Sequence, residues 1–348
     1  MELHVLPSDF GLPSVDGTCL QFMAACKFCA APVSIIRSTP GWSSVARVFG
    51  FSTAAASHPM FSTNEGRTLH GYQEFVAFLK SRGTDLKLDS HLSEAERAEI
   101  YSYTCLVFTR LLPAYLYTIW IDEHNFTAIT NSWYAQHVAF PFNWLHVSHG
   151  RSNAVQHLNA LYPGAADLNW SNVEYAVTRQ AITCLNELSA KLGVRKYFYG
   201  DKPSSLDALV FGYVAPLLKL PLPSDRLQQH VKACANMTRL VETIISIYLP
   251  LSDEELTAHR LSLSDWEMRR SRQQELMRLE RQRERASEHK QTEETEEFPM
   301  RDKILFGVFA ATLLVVAAVH FGVVQINTTV QQVDADLDSS MADGGDID

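Results

Sequence analysis

Tyr197-Phe198-Tyr199-Gly200-Asp201-Lys202-Pro203-Ser204-Ser205-Leu206-Asp207-Ala208 is the stretch from which the fold can be read. Ser204 stands three residues before Asp207. At this spacing a serine hydroxyl accepts from the Asp207 backbone N–H while the Asp207 carboxylate reaches back to the N–H of Ser204. Two donors that a helix start leaves without partners are thereby satisfied. Leu209, Val210, Phe211, Tyr213 and Val214 follow with almost no polar interruption, so the capped helix is a buried one.

Around this stretch, Ser93 to Pro250 carries long 3.6-period apolar patterns and almost no strand signal, which predicts an all-helical domain over residues 90–250. Ser93 and Glu96 form another capping box ahead of a stripe of Ile100, Tyr103, Val107, Leu111 and Leu112. Asn169 to Leu192 is a further helix, with Val173, Val177, Ala181, Leu185 and Leu188 inward. Between the two lie Trp120, Phe126, Trp133, Tyr134, Phe140, Phe142 and Trp144. Aromatics of this kind build cores and also build interfaces. Trp133, Tyr134 and Phe142 are the candidate partner surface.

The first 85 residues read differently. Leu3 and Val5 alternate with Glu2 and His4 as a short strand, and Ser14 is a candidate N-cap for a helix ending near Ala30. Val33 to Ile36 is a second strand, so the unit is a right-handed parallel crossover. Gly41 to Ser57 is loop-like. His58 to Thr63 and Arg67 to Leu69 read as a hairpin joined by Asn64-Glu65-Gly66, and Phe75, Val76, Phe78 and Leu79 mark a closing helix. This layout is thioredoxin-like, and the fold class is α+β.

A capping box after an aromatic-Gly-Asp-x-Pro turn resembles the folding motif of the glutathione transferase superfamily, whose members join a thioredoxin-like domain to a helical one. Pro59 falls where that superfamily places a cis-proline before its third strand. Within the superfamily the chain most resembles metaxins. Gly11-Leu12-Pro13-Ser14-Val15-Asp16, Trp120-Ile121-Asp122, Trp133-Tyr134-Ala135, Phe140-Pro141-Phe142-Asn143 and Leu222-Pro223-Ser224 carry that resemblance over residues 1–250, together with the Tyr197 to Asp207 box. The resemblance implies a non-catalytic subunit of the sorting and assembly machinery of the mitochondrial outer membrane, acting in import and insertion of β-barrel proteins. Its implied partners are a second metaxin-like subunit, a β-barrel insertase and β-barrel precursors. No cofactor is implied. The alternative is a membrane-tethered glutathione-dependent transferase.

That alternative needs a hydroxyl or thiol at the first helix N-terminus, where the dipole stabilises an anion, and an acid-Ser pair after the hairpin. Ser14 is available for the first role, whereas Gly71 and Tyr72 stand at the second position. Cys26 and Cys29 form a C-x-x-C, but at the C-terminal end of their predicted helix, where the dipole opposes a thiolate. His124, His137, His146, His149 and His157 have no acidic or cysteine partner at a metal-binding spacing. The six cysteines are scattered through apolar stretches, which predicts reduced thiols and no structural disulfide.

From Pro250 onward the chain reads as a linker, residues 251–303. Ser264-Asp265-Trp266-Glu267 caps an Arg/Glu-rich helical run from Met268 to Lys290, and Glu293 to Glu297 is expected to be disordered. Ile304 to Ile326 then runs for 23 residues without a charge, enough at about 1.5 Å per residue to cross a hydrocarbon core about 30 Å thick. Only 22 residues follow Ile326, so the span is expected to insert as a tail anchor. Arg301 and Lys303 precede it, while the tail over 327–348 holds six Asp of a chain with net charge −9 and no Lys or Arg. By the positive-inside tendency the body faces the cytosol. Met1 to Leu6 resembles no cleaved targeting segment, and no nucleic-acid partner is implied, because binding a phosphate backbone wants a basic patch. A chain truncated before Arg301 is expected in the soluble fraction. Its retention in the membrane pellet after high salt and carbonate would rule out a single anchor.

Overall fold

A computed structural model describes residues 1–39, 58–63, 66–81, 88–163, 170–296 and 300–320. Of the predicted features, the Gly41 to Ser57 loop, Asn64-Glu65 of the hairpin turn and the last residues of the span, Phe321 to Ile326, lie outside the described residues. The described chain forms a small sheet against a mostly helical body, a glutathione transferase-like fold. The body runs from Met1 to Leu279, and Glu280 to Asp348 is a second compact unit.

In the sheet, β1 (Glu2–Val5), β2 (Ser34–Arg37), β3 (Met60–Ser62) and β4 (Thr68–Leu69) lie in the order β2-β1-β3-β4. β1 pairs parallel to β2 with Leu3 opposite Ile35, and antiparallel to β3 with Leu3 opposite Phe61. Phe61 in turn faces Leu69. The parallel pair needs a crossover, which α1 (Gly17–Phe28) supplies. The His58–Pro59 peptide ahead of β3 is cis. α2 (Tyr72–Ser81) stacks Phe75 on Phe22 of α1 at 4.2 Å between ring centroids.

The helical part begins with α3, a continuous rod from Glu94 to Ile121 that passes through π-helical turns at Val107–Leu111 and Tyr117–Ile121. Pro113 accounts for the first, because a proline ring cannot fit against the carbonyl four residues back and a wider turn relieves the clash. α3 is apolar and long enough to cross a membrane, yet half of its most apolar window is buried inside the body, where it is the central core helix. After it come a π turn (Phe126–Thr130), α4 (Asn131–His137), α5 (Phe142–Leu161), α6 (Trp170–Leu192), α7 (Ser205–Lys219), α8 (Arg226–Ala233) and α9 (Ala235–Tyr248).

α7 is the helix on which both halves close. Asp207 is fully buried, and its carboxylate accepts from the Ser204 N–H at 2.8 Å, the Ser204 hydroxyl at 2.6 Å and the Phe198 N–H at 3.0 Å. A second buried carboxylate, Asp89 from the segment between α2 and α3, accepts from the Ser205 N–H and hydroxyl at 2.7 and 2.5 Å and pairs with Lys80. Midway along, α7 crosses α1 at Gly212 and Gly17. A methyl group on Gly212 would lie 2.4 Å from the Gly17 carbonyl oxygen, so only glycine permits the crossing.

The region expected to be a linker departs from that expectation. α10 (Asp253–Glu296) starts at a Ser252/Glu255 box rather than at Ser264, which lies inside it, and it continues through Glu293 to Glu296. Its first half lies on the body. Trp266 is buried against Phe10 at 5.2 Å, Glu255 meets Ser8 and Arg37, His259 accepts from the Gly11 N–H, and Arg270 pairs with Asp225. α11 (Met300–His320) carries exposed apolar side chains from Ile304 to Leu314.

Burial raises the Asp207 carboxyl to about 6 against the hydrogen bonds that favour its charge. A raised folded-state pKa means that this group's contribution is complete below about 4 and is lost as pH rises through about 6. Urea denaturation is therefore expected to show a stability difference between the wild type and Asp207→Asn that shifts in favour of the wild type on going from pH 7 to pH 4. Asp207→Ala, which strands two buried N–H groups, is expected to cost about 3 kcal/mol.

Candidate functional site

Two places in the body could carry function: the cleft at the N-terminus of α1 and the surface around the start of α5. The cleft is the place where the fold would permit glutathione chemistry. Asp16, not Ser14, caps α1, its Oδ2 accepting the Cys19 N–H at 2.8 Å. The cap must directly precede Gly17, and Ser14 is two residues too early. Its hydroxyl is fully buried, with no hydrogen-bond partner among the described residues. The Gly17 N–H donates to the Tyr115 hydroxyl at 3.3 Å. The positive end of α1 is thus occupied by a carboxylate and a phenol. Burial, aided by the Asp16 charge, pushes the Cys19 thiol well up, the opposite of what a nucleophile needs.

Among the described residues the cleft is also filled. Phe10, Asp16, Tyr115, Trp120, Trp133 and Tyr134 leave a cavity of about 30 Å³, room for about one water, whereas small-molecule sites occupy some 300 Å³ or more. Trp133 Nε1 donates to Asp9 Oδ2 at 2.9 Å, and α10 lies over Phe10 through Trp266. After the hairpin, Tyr72 spends its hydroxyl on the Ser205 carbonyl at 2.7 Å, and Gly71 precedes it. Cys26 and Cys29 are buried with raised pKa values caused by that burial, and all six cysteines are free. Among the described residues no three His, Cys, Asp or Glu side chains could share a metal ion. His137 stacks on Trp133, His146 packs on Tyr134, and burial lowers the pKa of His157.

The second place corrects the expected partner surface. Trp133, Tyr134 and Phe142 are only 2%, 5% and 8% exposed. Trp133 is held inward by Asp9, and Tyr134 by Trp120 and His146. The exposed large apolar side chains of this segment are their neighbours Phe140 at 80%, Trp144 at 65% and Leu145 at 48%. The Phe140–Pro141 peptide is cis, and the chain turns there into α5, with the Phe142 N–H donating to the Ala139 carbonyl at 2.9 Å. Helix phase explains the exchange. α5 buries Phe142, Val147, Ala154 and Leu158, which leaves Trp144 and Leu145 off the inward face. A signal for this surface was present in the sequence, since His124 to Gly150 runs for 27 residues without Asp, Glu, Lys or Arg. Depletion of charge with enrichment of aromatics is the composition of interface centres.

Comparison with known proteins gives matches along most of the chain. Residues 19–151 match the Tom37 family, described as outer mitochondrial membrane transport complex protein, and residues 181–244 match the glutathione S-transferase C-terminal domain family. The chain is 39% identical to a metaxin-1 homolog of Caenorhabditis briggsae over 329 residues, covering 94% of this chain and 98% of that one. It is 33% identical to metaxin-3 of Xenopus laevis, covering 74% and 80%, and 30% identical to metaxin-1 of Mus musculus, covering 75% and 78%. Among solved structures, a glutathione S-transferase of Ceriporiopsis subvermispora in complex with glutathione aligns at 13% identity and TM-score 0.44, covering 72% and 98%.

The filled cleft yields a direct test. Isothermal titration of the protein with millimolar glutathione is expected to give no binding heat. A disulfide reagent at pH 8 is expected to modify Cys19 and Cys26 at least about tenfold more slowly than the exposed Cys105. Micromolar affinity for glutathione would refute the reading of the cleft.

Proposed function

The chain belongs to the metaxin family, and we propose from this premise that it is a non-catalytic subunit of a mitochondrial outer-membrane transport complex. Its specific task in this reading is in the sorting and assembly machinery, where it helps β-barrel precursors enter the outer membrane beside a barrel insertase and a second metaxin-like subunit. A precursor barrel exposes unpaired strand edges and an apolar outer face until it closes, so it requires a docking platform at the membrane rather than a reaction.

One observation carries the proposal: the cleft that could do chemistry is filled, while an uncharged aromatic surface of Phe140, Trp144 and Leu145 stands open on the same body. In this reading residues 304–326 are the single span, of which the described part is helical to His320. Arg301 and Lys303 keep the body on the cytosolic side, and the acidic tail over 327–348 lies in the intermembrane space. Tethering holds the docking surface at high effective concentration without any chemistry.

The test uses full-length protein affinity-purified from mild detergent. Wild type is expected to bring down a β-barrel insertase and a second metaxin-like subunit. Because a buried interface aromatic contributes about 1–2 kcal/mol, Phe140→Ala/Trp144→Ala is expected to lower the recovery of the second subunit at least about tenfold at unchanged thermal stability. Unchanged recovery from the double variant would remove Phe140 and Trp144 from the interface. Normal porin assembly in depleted cells, with no insertase recovered, would refute the function.

A further inference from the structure

The end of α6 presents a second surface of a different chemistry. Gly193 takes the left-handed conformation that ends the helix, at φ +54°, and the next residue, Val194, is 92% exposed. An apolar side chain so exposed would ordinarily sit on a loose loop. This one sits on a turn pinned from beneath. The Gly193 N–H donates to Ser189 O at 2.9 Å and the Arg195 N–H to Leu192 O at 3.1 Å. Asn236 Nδ2 donates to Ser189 O at 2.8 Å and to Gly193 O at 3.3 Å, and Arg239 Nη2 donates to the carbonyls of Gly193 and Arg195 at 3.2 Å each. The backbone acceptors facing α9 are thereby satisfied, and the valine is held outward.

Cations surround that tip. Arg195 and Lys196 follow Val194 directly, and Arg239 grips the turn. The Tyr197–Gly200 bridge, with N–H to carbonyl distances of 3.0 and 3.2 Å, folds the chain back so that Lys202 lies on the returning side. Among the described residues, none of Arg195, Lys196, Lys202 and Arg239 has a carboxylate within 4.0 Å. Nearby, Glu99 is taken up by Lys191, and Asp201 is the acid within the turn itself. In a chain of net charge −9, this is a local excess of positive charge around an apolar point.

We propose that this turn docks on an anionic phospholipid surface, with Val194 entering the headgroup region, Lys196 and Lys202 meeting lipid phosphates and carboxylates, and Arg195 and Arg239, whose guanidinium groups hold backbone carbonyls of the turn, adding to its positive field. Charge complementarity selects the occupant: basic side chains at a membrane surface are attracted by its negative potential, each by roughly fivefold in affinity. Shape selects it too, because a side chain as exposed as Val194, at the tip of a helix-ending turn, suits a broad surface better than an extended acidic peptide. The proposal rests on the membrane-tethered reading above, since only a tethered body spends its life beside a bilayer. Docking of this turn would fix which face of the body looks outward and leave the uncharged Phe140 surface to a protein partner.

The test keeps the full chain, with Val194→benzoylphenylalanine, reconstituted into vesicles of phosphatidylcholine alone or with about 20 mol% phosphatidylserine. After irradiation, lipid adducts on the peptide containing position 194 are counted by mass spectrometry. At least about fivefold more adduct is expected in the anionic vesicles, falling to the neutral level in about 0.5 M KCl and in the Lys196→Glu/Lys202→Glu background. Equal yields in the two vesicles, or crosslinks only to a second copy of the chain, would overturn the proposal. Failure of the chain to resist carbonate extraction would instead overturn the tethered reading and this inference with it. The salt comparison needs no charge substitution, so a misfolded variant cannot decide the outcome.

Discussion

A helix that enters a dry core N-terminus first must find partners for its leading N–H groups, and in this chain two carboxylates meet that demand for α7. Asp207 serves the N–H groups of Ser204 and Phe198, and Asp89 serves that of Ser205. The two acids come from different places. Asp207 belongs to the helix itself, whereas Asp89 lies just ahead of α3, so satisfying one helix start also fixes the stretch that leads into α3. Because the first turn is anchored, α7 can be almost wholly apolar from Ala208 to Leu218, and it passes close enough to α1 that glycine is required at Gly17 and Gly212.

That same closeness decides what the body can do. The crossing draws the N-terminus of α1 toward α3, where Tyr115 meets the Gly17 N–H, and Trp133 and Tyr134 take the remaining volume. A transferase would leave this end of the helix open to a thiolate. Here the half-buried Asp16 carboxyl already occupies that end, its pKa raised by desolvation, and a second anion beside it would be disfavoured. Among the described residues, the small volume and the nearby carboxylate are two separate features of this end of α1. Relieving either one by mutation leaves the other.

The sequence was informative where local and global preferences agree. The parallel crossover, the hairpin, the Ser93/Glu96 box and the Ser204/Asp207 box are local patterns, and each occurs in the structure at its place. Reading failed where one residue type has two fates. Ser14 and Asp16 are both good caps, and only the start of α1 at Gly17 decides between them. Trp133 and Trp144 are equally apolar. Their burial differs because Asp9, distant in sequence, holds one indole inward while the phase of α5 leaves the other outside. Composition along the segment held the better clue, since the charge-free run from His124 to Gly150 describes a region rather than a residue.

The docking of α10 shows the limit of hydrophobic periodicity most clearly. Glu255, His259, Trp266 and Arg270 follow one another at intervals close to multiples of the helical repeat, and Gln273 and Gln274 lie three and four residues beyond Arg270, so the six form one stripe along the helix. Each of the six contacts the body, but only Trp266 does so through an apolar side chain. A stripe written in hydrogen bonds and ion pairs has almost no amphipathic signal, which is why the segment reads as a solvated linker. Its energetics follow from the same fact. Partly exposed ion pairs contribute little individually, so the buried indole of Trp266, resting on Phe10, must supply most of the attachment. The stripe of contacts runs at least to Gln274, and the body extends to Leu279, so the segment from 251 onward is not the free 53-residue linker that the sequence suggests.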